Sequence, residues 1–124
     1  MQRSDLKFKT DLKKRCYKFS LDLIKFLNSL PRNNVNLVIS NQVLRSGTSI
    51  GANLTEASSS SSRLEFKRFN EIALKSANET FYWLELIRDS SIDIDFKRLE
   101  SLLSELGEIS KMIASGVIKL KGKK

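Results

Sequence analysis

Glu56 and Glu79 are the carboxylates whose surroundings best suit chemistry in this sequence. Two carboxylates on neighbouring helices can act as acid and base or hold a divalent metal. They have no histidine to work with, because the 124 residues include none. That excludes imidazole acid–base work, Ser–His and Cys–His nucleophile pairs and His-ligated metals. A di-metal site in a helical bundle draws on Glu-x-x-His motifs, which are absent here. The single cysteine, Cys16, excludes an internal disulfide or a cysteine-cluster site and reads as a small apolar residue. Gly47-Thr48-Ser49-Ile50-Gly51 lacks the Gly-Lys-Ser/Thr ending of a phosphate loop and sits inside a helical pattern. The residues thus point away from an enzyme, and no cofactor or metal is expected.

Glu56 closes a polar row instead. Gln42, Ser46, Ser49, Asn53 and Glu56 advance by 4, 3, 4 and 3. Each stands one residue before a member of an apolar row, Val43, Gly47, Ile50, Leu54 and Ala57. At about 100° per residue the polar row lies just beside the core stripe. Gly47, Thr48, Gly51 and Ala52 are small enough to let another helix approach closely. Ser76 and Glu79, with Lys75 near them, come from a later segment. Polar groups buried at such a boundary must pair, since each unpaired one costs about 1–3 kcal/mol. Three readings stay open: a solvated helix side, a polar network at a subunit seam, or a ligand or catalytic site around Glu56 and Glu79. Tyr82 and Trp83 read as core or seam aromatics rather than a base-stacking platform.

The other chemical signal is positive charge. Lys and Arg number 22 against 14 Asp and Glu, a formal net charge of +8. Residues 1–32 carry nine of the cations and three of the anions. Lys7, Lys14, Lys18 and Lys25 advance by 7, 4 and 7, so they share one helix face, flanked by Lys13 and Arg15. Such a face is either a solvated surface or a contact for phosphates, whose released counterions would make affinity fall steeply with salt. Several copies in a ring would multiply the field. No zinc finger, RNP-type aromatic motif or basic-zipper pattern is present, so any nucleic-acid contact is led by backbone or shape.

The elements that must hold these residues are helical. Leu12, Cys16, Phe19, Leu23, Phe26 and Leu30 step by 4, 3, 4, 3 and 4, predicting a helix over 4–30 that stops at Pro31. A second helix is predicted over 36–57, capped by Asn36 and ended by the Ser58–Ser62 linker. Ser62-Arg63-Leu64-Glu65 has the capping-box form and opens a third, 63–89. Its core stripe is read as Phe66, Phe69, Ala73, Ser76, Thr80, Trp83 and Ile87. A fourth spans 95–119, capped by Asp93 or Asp95. Its stripe is Phe96, Leu99, Leu103, Leu106, Ser110, Ile113, Val117 and Leu120. A basic tail, 120–124, follows. Four long helices joined by short turns predict an all-α, antiparallel up-down-up-down four-helix bundle packed at about 20°, one domain over 1–124. No apolar run is long enough to span a membrane, and the N-terminal stretch lacks a signal-like apolar region. A cytoplasmic setting is expected.

Leu44-Arg45-Ser46-Gly47-Thr48-Ser49-Ile50-Gly51-Ala52-Asn53-Leu54-Thr55-Glu56-Ala57 resembles the helix-2 signature of the four helix bundle proteins, also called 23S rRNA intervening-sequence proteins. Glu65-Phe66, Ile72-Ala73-Leu74-Lys75-Ser76-Ala77-Asn78-Glu79-Thr80 and Tyr82-Trp83-Leu84 are similar to its helix-3 pattern, and the likeness covers roughly residues 8–115. The resemblance implies an antiparallel bundle that assembles as a homopentameric ring with a central channel. It implies no enzyme: some members are encoded within insertions in bacterial 23S rRNA genes, and their biochemical role is not established. A related branch is the accessory protein of diversity-generating retroelements, a basic pentamer that partners a reverse transcriptase and nucleic acid. The family pattern marks Arg45, Ser49, Asn53, Glu56, Ser76 and Glu79 here, none with a catalytic role.

The expectation is therefore a non-enzymatic, cytoplasmic oligomer that binds RNA or DNA backbone through basic faces. Lys7, Lys14, Lys18, Lys25 and Arg45 would carry the contact. Gln42, Ser46, Ser49, Asn53, Glu56, Ser76 and Glu79 would form a polar seam or subunit interface. The alternative is a protein-interaction scaffold that docks a partner such as a reverse transcriptase.

Overall fold

The computed structural model describes residues 3–90 and 92–122, with side chains over 11–90 and 92–120. Four α-helices account for most of them: α1 Arg3–Asn28, α2 Asn34–Ser58, α3 Arg63–Asp89 and α4 Phe96–Gly122. The described residues contain no strand. None of their helices is long and apolar enough to cross a membrane. Successive helices pack on each other, and α1 also packs on α4, so the four surround one core.

The boundaries follow local chemistry. α1 stops at Asn28, where the Ser29 and Leu30 N–H groups turn back to the Phe26 and Leu27 carbonyls at 3.0 and 3.2 Å, ahead of Pro31. The cap of α2 is Asn33, not Asn36: Asn33 Oδ1 accepts from the Asn36 N–H at 2.9 Å. Asn36 is buried inside the first turn, its amide donating to the Pro31 carbonyl at 2.7 Å. Asparagine satisfies free first-turn amides from the cap position itself, so the cap lies three residues earlier than expected and the helix starts at Asn34. Ser62 caps α3, its Oγ accepting from the Glu65 N–H at 3.1 Å. Asp95 plays that part at α4, accepting from the Arg98 N–H at 3.1 Å. α4 runs on through Gly122, beyond the expected end at 119. Lys123 and Lys124 of the expected tail lie outside the described residues.

The α1 stripe, Leu12 to Leu30, is buried throughout, as is the α2 row from Val43 to Ala57. The α3 stripe is rotated from its expected place. The buried row is Asn70, Ala73, Ala77, Thr80, Leu84 and Ile87, with Phe66, Phe69, Ser76 and Trp83 only half-buried at its edge. Small residues hold the centre because α2 comes close there. A Cβ on Gly47 would stand 3.7 Å from Thr80 Cγ2. In α4 the buried row is Leu99, Leu102, Leu106, Ile109, Ile113 and Val117, while Phe96 is exposed. Two overlapping apolar rows make that helix face wide, and spacing alone does not locate its centre.

Candidate functional site

The polar row of α2 meets α3 of the same chain. Thr80 Oγ1 donates to Ser46 Oγ at 2.9 Å, both residues wholly buried. One turn along, Ser49 Oγ and Ser76 Oγ lie 2.9 Å apart, and the Asn53 amide donates to Ser49 Oγ at 2.9 Å. At the other end Arg45 donates to Gln42 Oε1 at 2.9 Å and forms an ion pair with Glu79. Glu79 also accepts from the Trp83 indole N–H at 2.9 Å. The indole bond, then the Arg45 guanidinium, hold the Glu79 carboxyl below the usual carboxylate range. Among the described residues no buried side-chain nitrogen or oxygen lacks a partner. The row is a closed network between two helices of one chain, with Arg45 and Glu79 as its solvent-facing end.

Glu56 does not join it. It is exposed on α2, 11 positions beyond Arg45, which faces Glu79. At a rise of 1.5 Å per residue that is about 16 Å along the axis. The structure thus separates the two carboxylates that sequence reading considered as a pair. The described residues hold no group of three or more His, Cys, Asp or Glu side chains placed to bind a metal. Cys16 is buried, and burial pushes its thiol up to about 12, where it is not a nucleophile near neutrality.

The basic face divides. Lys14, Lys18 and Lys25 are exposed on α1. Lys18 pairs with Asp22 at 3.0 Å, whereas Lys14 and Lys25 have no acidic partner among the described residues. The side chain of Lys7 lies outside the described residues. Arg15, expected to flank this face, turns to α4 instead. Its Nη2 and Nε reach Glu105 at 2.6 and 2.9 Å, and the Glu105 hydrogen bonds raise its pKa further. Arg45 is engaged by Glu79, so its charge is largely answered within the chain.

Two features escaped sequence reading. The first is a pair of exposed apolar patches, the row Tyr17, Leu21 and Ile24 on α1 and, on α3, Tyr82 and Leu86 with Ile72 farther along the helix. Tyr82, expected in the core or a seam, stands on that outer α3 patch, edge-on to Trp83 at 5.1 Å. Tyr17, Leu21 and Ile24 do step by 4 and 3, but the stronger core stripe beside them dominates the helical pattern. The second is a cleft of about 580 Å³ between the end of α1 and the start of α2. Leu27, Leu37 and Leu44 line it, with Asn28, Arg32 and Asn41. No linear spacing signals it, since it depends on how the 29–33 turn folds one helix onto the next.

Known proteins share this arrangement. The sequence model of the 23S rRNA-intervening sequence protein family matches residues 9–115. A crystal structure from Bacteroides thetaiotaomicron, of a protein with unknown function from the S23 ribosomal protein family, is similar at 39% identity and a TM-score of 0.79. The similarity covers 89% of this chain and 97% of that one. No curated protein matches.

Proposed function

We propose that this chain, which belongs to the 23S rRNA-intervening sequence protein family, is a non-enzymatic, self-assembling helical bundle that binds RNA or DNA through its phosphates. The observation that carries the reading is the exposed lysine face of α1. Lys14 and Lys25 project from a rigid helix without forming an ion pair among the described residues, Asp22 being engaged by Lys18, which leaves them open to a phosphate backbone. Lys18 joins them by exchanging Asp22 for a phosphate, and Lys7 extends the row. Arg45 contributes least, because Glu79 already holds it.

Assembly makes the weak row effective. The bundle runs up-down-up-down, a topology favoured by short turns and by the packing of α1 on both α2 and α4. Its two outer apolar patches differ from each other, so copies join head to tail, the α1 row of one against the α3 patch of the next. Contacts between unlike faces close into a ring when the rotation from copy to copy closes, and five copies is the number the family resemblance implies. The lysine face lies beside the α1 row and stays accessible at the rim of each contact. The polar α2–α3 network then serves as the stiff spacer between the two joining faces rather than as the joint itself. The cytoplasm is the expected setting.

Filter binding to RNA and DNA from about 50 to 200 mM salt tests this. Three or more phosphate contacts predict a loss of affinity of at least about tenfold over that range. Absence of binding at the lowest salt, or indifference to salt, overturns the reading. One observation favours a second reading, a scaffold that docks a protein such as a reverse transcriptase. Val35, Leu37 and Val38 stand exposed together in the first turns of α2. A specific protein retained by the immobilised chain, with no affinity for bare nucleic acid, would favour that alternative.

A further inference from the structure

The cleft between α1 and α2 differs in chemistry from the lysine row that leads to it. Leu27, Leu37 and Leu44 form an apolar wall, and Asn28, Asn41 and Arg32 stand around it. None of those three polar side chains is hydrogen-bonded to another described residue. Asn33 and Asn36, by contrast, are engaged, Asn33 through Oδ1 in capping α2 and Asn36 through Nδ2 in holding the Pro31 carbonyl. The free amides are therefore not needed to build the turn.

An unpaired base offers two things that a duplex hides, a flat face that avoids water and a hydrogen-bonding edge. The leucine wall suits the face, and the Arg32 guanidinium plane can stack on it from the solvent side. A carboxamide presents a donor and an acceptor side by side, which can pair with the exposed edge of an unpaired base. Lys25 precedes Asn28 by three residues, so the two are neighbours on the α1 surface. We infer that this cleft takes an unpaired base from a single strand whose phosphates follow Lys14, Lys18 and Lys25. The inference rests on the nucleic-acid reading above and narrows it from any backbone to a single strand. A duplex can still meet the lysines, but it has no free base to place in the cleft.

Fluorescence anisotropy of the full chain at one low salt concentration tests it with three labelled probes: an oligoadenylate of about 12 nucleotides, the matching oligouridylate, and their duplex. Each single strand is expected to bind about tenfold more tightly than the duplex. Asn41→Leu should bring both single strands to the level of the duplex while leaving duplex affinity unchanged. Asn28→Ala, at a second exposed helical position, provides an independent variant, and thermal melts show that both fold. Equal affinity for all three probes overturns the inference and leaves the backbone reading standing. So does a single-strand advantage that both variants keep. Failure of all three probes to bind overturns both.

Discussion

Ser46 and Thr80 meet where both helices are fully shielded from water. Thr80 Oγ1 also lies 2.7 Å from the Ser76 carbonyl and Ser46 Oγ 3.3 Å from the Val43 carbonyl, so two hydroxyl protons are shared among three contacts. Removing one hydroxyl leaves the other with only its backbone carbonyl, whereas removing both leaves no hydroxyl to satisfy. Thr80→Val should therefore cost about 1 kcal/mol in chemical denaturation, and adding Ser46→Ala should recover most of it. Additive losses would show that the two do not act as a pair. Glu79 makes a pH-dependent contribution. Its folded pKa is depressed by Trp83 and Arg45, so the stabilisation is complete above the unfolded carboxyl value and is lost as pH falls through the folded one. Thermal melts of Glu79→Gln should lie below the wild type near neutrality by roughly 0.5–1 kcal/mol, the two converging in acid. A constant gap down to acid pH would contradict that role.

The helices show why some of the fold was legible and some was not. α1 and α2 each have one apolar stripe with polar or small flanks, so spacing located their buried faces residue by residue. α3 carries large aromatics beside small residues, and hydrophobicity favoured the aromatics. Close approach decided otherwise, placing Ala73, Ala77 and Thr80 between the helices and leaving Phe66, Phe69 and Trp83 at the edge. The polar row was legible as a row. Ser76 and Glu79 were legible as its companions, and they meet Ser49 and Arg45. Thr80 was read as core, and periodicity does not say whether two helices meet within one chain or across a seam. Glycines mark the tightest packing. A Cβ on Gly47 would overlap Leu23 Cδ2 inside the core, and one on Gly51 would stand 3.2 Å from Cys16 Cβ, whereas Gly107 has nothing within 4 Å. Gly47→Ala should lower stability by about 1 kcal/mol, overpacking outweighing the gain in helix propensity. Gly107→Ala should raise it by about 0.5–1 kcal/mol. Calorimetric melts that moved in the same direction for both would contradict the close approach of α1 and α2.

At the scale of the whole molecule, one chain satisfies its buried polar groups and fills a core, yet leaves apolar patches on two of its outer faces. A row of tyrosine and aliphatic side chains on a rigid helix favours burial at about 25 cal/mol per Å², and a second, different patch is at hand on α3. On the proposed function, copies of this chain cover one another, with the lysines of α1 brought together around the assembly. Nothing in the sequence marks those faces, because an exposed leucine looks the same whether it meets water or a neighbour. Sedimentation equilibrium at micromolar concentration measures this most directly. A particle of five times the 14.1 kDa chain mass, unchanged on moderate dilution, is the predicted result. A single 14.1 kDa species across that range would contradict it.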